Sequence, residues 1–200
     1  MQTFVSRCAL AAAFALALAG SAAAQSVDVW SGGLASQCAQ AAKDGLAGPQ
    51  YEQVCTDSLE KELLAPRDRA GTYVNRGIIK LRDKRYLDAM QDFDVAIKYQ
   101  SNLAEAYVNR AAARIGAHQF QDSLSDVDNA LMLGVKEPEK AYYNRALAHE
   151  WLDDYKAAWL DYQKALELAP DWQLVKDQLA RFTVSHADIA KPPSPPAPKP

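Results

Sequence analysis

"AYVNRAA", residues 106–112, nearly repeats twice elsewhere: "TYVNRGI" occupies 72–78 and "AYYNRAL" occupies 141–147. The pattern Tyr-x-Asn-Arg thus recurs at intervals of 34 and 35 residues. Self-similarity at such a period is the mark of stacked supersecondary units, none of which can bury its apolar face alone. Each string lies in a stretch of helical apolar periodicity, followed by a polar turn ("RDKR", "GAHQ" or "LDD") and then a second periodic stretch. Units therefore run over 70–103, 104–138 and 139–172, each reading as helix-turn-helix.

Within a unit the side chains keep their places. Gly77, Ala111 and Ala146 put a small residue eight places in, where a neighbouring helix can approach closely. The second helix opens with Tyr86, Phe120 or Tyr155 and continues through Ala89, Ser123, Ala158, then Phe93, Val127, Tyr162, then Ala96, Ala130, Ala165. Steps of 3 and 4 residues place these on one helix face. The period, the small eighth residue, the alanines at places twenty and twenty-seven and Pro170 at place thirty-two resemble the tetratricopeptide repeat (TPR). Departures are Ser101 and Val135 in place of the proline, Ser123 in place of an alanine, and an inserted Pro138. The resemblance implies an all-α, right-handed α-solenoid of helix-turn-helix hairpins with a concave wall.

Around these units the sequence predicts further segments. Shifted back one period, Cys55, Leu59 and Leu63 fall on Ala89, Phe93 and Ile97, so 34–64 reads as a degenerate helical hairpin after a short linker at 25–33. Leu174, Val175, Gln178, Leu179 and Phe182 form one stripe, predicting a capping helix over 173–187. Residues 1–24 carry one arginine, the apolar run "CALAAAFALALAG" and small residues at Ala22 and Ala24, the layout of a signal peptide cleaved before Gln25. That run is short for a membrane span, which needs about 20 residues, and no later stretch is long and apolar enough to span. The Pro-rich end, 188–200, reads as a disordered tail.

Cleavage would remove Cys8 and leave Cys38 and Cys55, which stand at similar heights of a helical hairpin. In an exported chain such a pair favours a disulfide, two unpaired buried thiols being the alternative. The leader looks bacterial, which places the mature chain in the periplasm, with secretion as the alternative. The net charge of −3 and the lack of a basic run argue against nucleic acid as the partner.

The repeated string divides by residue. Its tyrosine is expected in the core. Arg76, Arg110 and Arg145 are each followed sixteen residues later by Asp92, Asp126 and Asp161, an offset suited to bidentate pairing between the two helices of a hairpin. Asn75, Asn109 and Asn144 share a face with Val74, Ile78, Val108, Lys140, Tyr143, Leu147 and Trp151. The family resemblance implies that this face lines the concave groove. A row of amides, each both donor and acceptor, can hold an extended peptide backbone; amides bonded within the scaffold are the alternative. TPR clamps for a C-terminal carboxylate carry further cations, but Gly71 and Asn144 stand at two of those positions, so that variant is not expected. His118, His149 and His186 are isolated, and no nucleophile, phosphate-loop or metal motif is present. The reading is a non-catalytic, cofactor-free adaptor or scaffold with a protein or peptide partner; a self-associating envelope protein, and hence a homo-oligomer, is the alternative.

Overall fold

A computed structural model describes residues 5–7, 24–29 and 32–184. Its helices are α1 (Leu34–Lys43), α2 (Pro49–Lys61), α3 (Pro66–Arg82), α4 (Tyr86–Tyr99), α5 (Ala104–Gly116), α6 (Phe120–Met132), α7 (Pro138–Trp151), α8 (Tyr155–Leu168) and α9 (Gln173–Leu179). Each packs on the next, giving four hairpins and a terminal helix. The first helices of the repeated units, α3, α5 and α7, also touch in succession and form one wall. This is an all-α solenoid. Pro49, Pro66 and Pro138 each open a helix, where a missing N–H leaves no bond unmade, so the inserted Pro138 starts α7 rather than interrupting it. Among the described residues no helix is long and apolar enough to cross a membrane.

The turn inside each repeated unit is built the same way three times. Lys84, His118 and Asp153 have φ of 59°, 60° and 61°. Their N–H groups donate to Leu81, Ile115 and Glu150, and the next residues' N–H groups reach back to Lys80, Arg114 and His149. This paired closure normally recruits glycine, because a side chain is strained at positive φ. Behind each turn the second helix delivers Phe93, Val127 or Tyr162 fully buried between the helices. At Gly77 a Cβ would lie only 2.5 Å from the Phe93 ring, so the first unit closes only because that residue is glycine.

The first hairpin lacks these devices and uses others. Cys38 and Cys55 are disulfide-bonded, with Cα atoms 4.9 Å apart, and pack on Ile79 of α3. Glu62 leaves α2 in an extended conformation, and its carboxylate accepts the Leu34 and Ala35 N–H groups and the Ser58 hydroxyl. It thereby caps α1, whose own N-cap, Gly33, has no side chain to do so. Because the chain turns off at Glu62, Leu63 does not pack as Ile97 does; it is fully exposed.

The capping helix is also shorter than the sequence predicts. α9 ends at Leu179, and Phe182–Val184 (β2) is a strand paired antiparallel with Val5–Arg7 (β1), Val5 opposite Val184. Phe182, Thr183 and Val184 are aromatic and β-branched and favour extended backbone. Residues 185–187 of that segment, the Pro-rich tail and the leader other than 5–7 and 24 lie outside the described residues.

Replacing Cys38 and Cys55 by alanine together should lower unfolding free energy by about 3 kcal/mol in urea denaturation, since the bridge closes a short loop. Acid should act through Glu62. The Ser58 hydroxyl, with the Leu34 and Ala35 amides, outweighs partial burial and holds its carboxyl below the ordinary value. Its stabilising contribution is therefore complete above the unfolded-state value and fades as pH falls through the lower folded-state one. Urea midpoints measured from neutrality down through about pH 4 should show Glu62→Gln less stable than the parent at neutrality and converging with it in acid.

Candidate functional site

The wall formed by α3, α5 and α7 is positioned by its arginines. Arg76 donates through Nε and Nη2 to the two carboxylate oxygens of Asp92 at 2.9 and 2.7 Å. Arg110 grips Asp126 at 2.9 and 2.6 Å, and Arg145 grips Asp161 at 2.8 and 2.8 Å. Each fork joins the two helices of its hairpin. The remaining Nη1 reaches the preceding hairpin: Thr56 for Arg76, Asp94 for Arg110 and Asp128 for Arg145. One guanidinium thus sets both the angle within a unit and the docking of that unit on its neighbour.

Two of these carboxylates take a second cation one turn further on, and the third has a histidine there. Lys80 and Arg114 reach Asp92 and Asp126 at 2.7 Å, and His149 stands 4.0 Å from Asp161 at the corresponding place in the third unit. The repeat accounts for His149 as part of the scaffold. Each guanidinium also lies over the tyrosine of its own string, 5.2 to 5.5 Å from the ring centroids of Tyr73, Tyr107 and Tyr142. These half-buried rings pack against the core, as the sequence suggested, and also serve as platforms for a cation. Burial alone would lower the pKa of Arg110; its bonds to Asp126 and Asp94 more than reverse that and hold it above the ordinary value.

The asparagines are fully buried, and two of them hold an extended segment formed by residues 24–29 of the chain itself. The Asn75 Oδ1 accepts the Val27 N–H at 2.9 Å while its Nδ2 donates to the Val27 carbonyl at 2.8 Å. Asn109 does the same for Gln25, both bonds at 2.9 Å. A side-chain amide here plays the part of a peptide group in a β-ladder, taking the donor and acceptor of one residue together. Lys140 adds a bond from Nζ to the Ala24 carbonyl at 3.3 Å. Asn144 differs: its Nδ2 makes a long contact, 3.4 Å, to the Val108 carbonyl, and its buried Oδ1 has no partner among the described residues.

The other residues of the predicted face separate. Val74 and Ile78 are fully buried in the cluster that includes Val27, beneath the segment. Leu147 is buried in the same large cluster. Val108 instead packs with Val127, Ala130 and Ala141 between the second and third units. Tyr143 is buried against Tyr162 and Trp172. Trp151 stacks on Phe120, with centroids 5.3 Å apart, beside the turn of the preceding unit. Val108 and Trp151 serve packing between units and Tyr143 packing within the third; of the three only Trp151 keeps an exposed part of its ring, at 38%. What the sequence reading missed is the segment it treated as linker. "QSVDV" alternates inward Gln25, Val27 and Val29 with outward Ser26 and Asp28, a period-two signal only five residues long.

Among solved structures, the TPR domain of Arabidopsis OM64 is similar to this chain, with 30% identity and a TM-score of 0.56, covering 58% of this chain and 96% of that domain. The chain belongs to the tetratricopeptide-repeat family. No protein-family model and no curated protein matches the sequence. TPR folds serve in general as protein–protein interaction modules, and the inner wall of this one already holds a polypeptide backbone.

A double-mutant cycle on Arg110→Ala and Asp126→Ala, read by urea denaturation, should give a coupling energy of about 1–3 kcal/mol. Strict additivity would show that the fork does not hold the hairpin.

Proposed function

We propose that this TPR protein is a non-catalytic adaptor or scaffold of the cell envelope whose inner wall binds an extended peptide segment. One observation carries the reading: Asn75 and Asn109 each take both the N–H and the C=O of alternate residues of an extended backbone. Such contacts are indifferent to side chains, and they suit a surface meant for polypeptide. Export supports the envelope placement. The leader has signal-peptide layout, and the Cys38–Cys55 bridge suits an oxidising compartment such as the periplasm. Cleavage before Gln25 would remove Ala24 and make the groove-bound residues 25–29 the very start of the mature chain. Because Gln25 is buried in the folded state, that cleavage would have to precede docking.

Self-association is the second reading, favoured by the groove-bound segment itself, since residues 25–29 of a second copy offer the same backbone groups. Light scattering after size exclusion separates the two: a monomer is expected of the adaptor, a stable dimer of the alternative.

The adaptor reading is tested by selecting a random-peptide display library on the full chain carrying Val27→Asp, which vacates the groove. Peptides should be enriched, and Asn109→Ala should weaken their binding by about 1–2 kcal/mol, the worth of a buried backbone contact. Enrichment of peptides indifferent to both Asn75→Ala and Asn109→Ala would place binding elsewhere and overturn the proposal.

A further inference from the structure

We infer that the groove selects an extended peptide with a carboxamide followed by branched aliphatic residues at alternate positions, Gln-x-Val-x-Val, and that residues 25–29 are its resident competitor. This rests on the adaptor reading above and adds the guest's pattern and its regulation. The backbone contacts set the register. Asn109 holds residue 25 and Asn75 holds residue 27, so the wall reads two peptide residues per repeat, with the peptide running against the order of the units.

Side-chain selection follows from what surrounds the inward residues. The Gln25 side chain is buried and its Nε2 donates to the Glu137 carbonyl at 2.9 Å. An apolar residue there would leave that contact unmade, and a carboxylate would face an acceptor. Val27 packs with Val74 and Ile78. It and Val29 occupy the space over Gly71, where a Cβ would stand 3.0 Å from the Val27 Cγ1 and 3.2 Å from the Val29 Cγ1. Gly71 is therefore a specificity-determining position: only without a side chain does it leave room for two β-branched residues. The outward positions place no such demand, and the Asp28 side chain is 75% exposed.

The ladder does not stop at Gln25. Asn144 is the next amide, is fully buried, and has an Oδ1 with no partner among the described residues, while Lys140 on the same helix holds the Ala24 carbonyl. A guest extending two residues before its glutamine can bond there. The mature segment, beginning at Gln25 under the predicted cleavage, cannot. A longer guest thus gains a contact that the resident lacks, while the resident benefits from tethering, which gives it a high effective concentration. The measured affinity of a guest is reduced by the fraction of chains in which the groove is closed.

The test uses a fluorescein-labelled peptide of sequence AQSVDV, the reordered peptide AVSDQV, and the full chain with and without Val27→Asp plus Val29→Asp, read by anisotropy. A second variant, with residues 25–29 replaced by a Gly-Ser linker, serves if the double substitution disturbs folding. AQSVDV should bind the vacated chain at least tenfold more tightly than the wild type, and at least tenfold more tightly than AVSDQV does. Adding Gly71→Leu should abolish binding of AQSVDV while leaving helix content unchanged. Equal affinity for wild-type and vacated chains would overturn the competitor. Equal affinity for the two peptides would overturn the pattern while leaving a backbone-reading adaptor intact. No binding of either, with hydrogen exchange showing the segment released, would overturn this inference and the adaptor reading together.

Discussion

The buried guanidinium–carboxylate fork governs this molecule. Asp92, Asp126 and Asp161 lie at 3%, 1% and 7% exposure, where an unpaired charge would cost several kcal/mol. An arginine meets both oxygens of each in plane, and that fork leaves the two helices of a hairpin little freedom to slide or rotate. Since the third guanidinium nitrogen engages the previous hairpin, the same demand is passed along the solenoid. The spacing of the wall is a consequence. Asn75 and Asn109 meet peptide groups two residues apart because the forks hold α3 and α5 at a separation that an extended strand can bridge.

Much of this was legible in the sequence, and the reasons are physical. An Arg-to-Asp offset of sixteen recurring three times fixes which residues face each other across a hairpin, because helical periodicity relates those positions rigidly. The asparagine row follows from the same periodicity. The misplacements arise where a helix face borders two neighbours. Val108 and Tyr143 are each one residue, about 100° of helical rotation, from an asparagine, enough to turn a side chain from the groove into the core. Trp151 lies beyond a further turn, where the preceding unit's turn replaces the groove as neighbour. Leu63 failed for a different reason: Glu62 was needed as a cap for α1, a contact between residues 28 positions apart that no local pattern announces.

The segment 24–29 was illegible because its structure is entirely borrowed. Five alternating residues next to an apolar leader carry too little signal to distinguish a strand from a linker, and among the described residues the segment has no partner strand. Its ladder is made of side-chain amides on helices. The glycine at 71 gains its meaning from this. Read against the carboxylate-clamp pattern it is a missing cation; in the folded chain it is the space occupied by Val27 and Val29. The same substitution that removes one binding chemistry makes room for another.

A solenoid of forks has to end somewhere, and at both ends the missing fork is replaced. Among the described residues before the first repeated unit there is no tyrosine–arginine platform, and the Cys38–Cys55 bridge fixes the hairpin covalently while Thr56 receives the spare nitrogen of Arg76. After the third unit no further hairpin follows among the described residues. Arg181, following the short α9, comes back to Glu150 at 2.9 Å, and Tyr162 donates its hydroxyl to the same carboxylate oxygen at 2.9 Å. Burial, with the charge of Glu150 adding to it, pushes the Tyr162 phenol well above its ordinary value, so it remains a donor. The buried carboxylate of Glu150, inside the last hairpin, is thus again answered by an arginine, here from the segment that follows α9 rather than from its own hairpin. The terminal helix can therefore be only seven residues long: its task is to carry Arg181 to Glu150 and Trp172 to Tyr143, not to continue the stack.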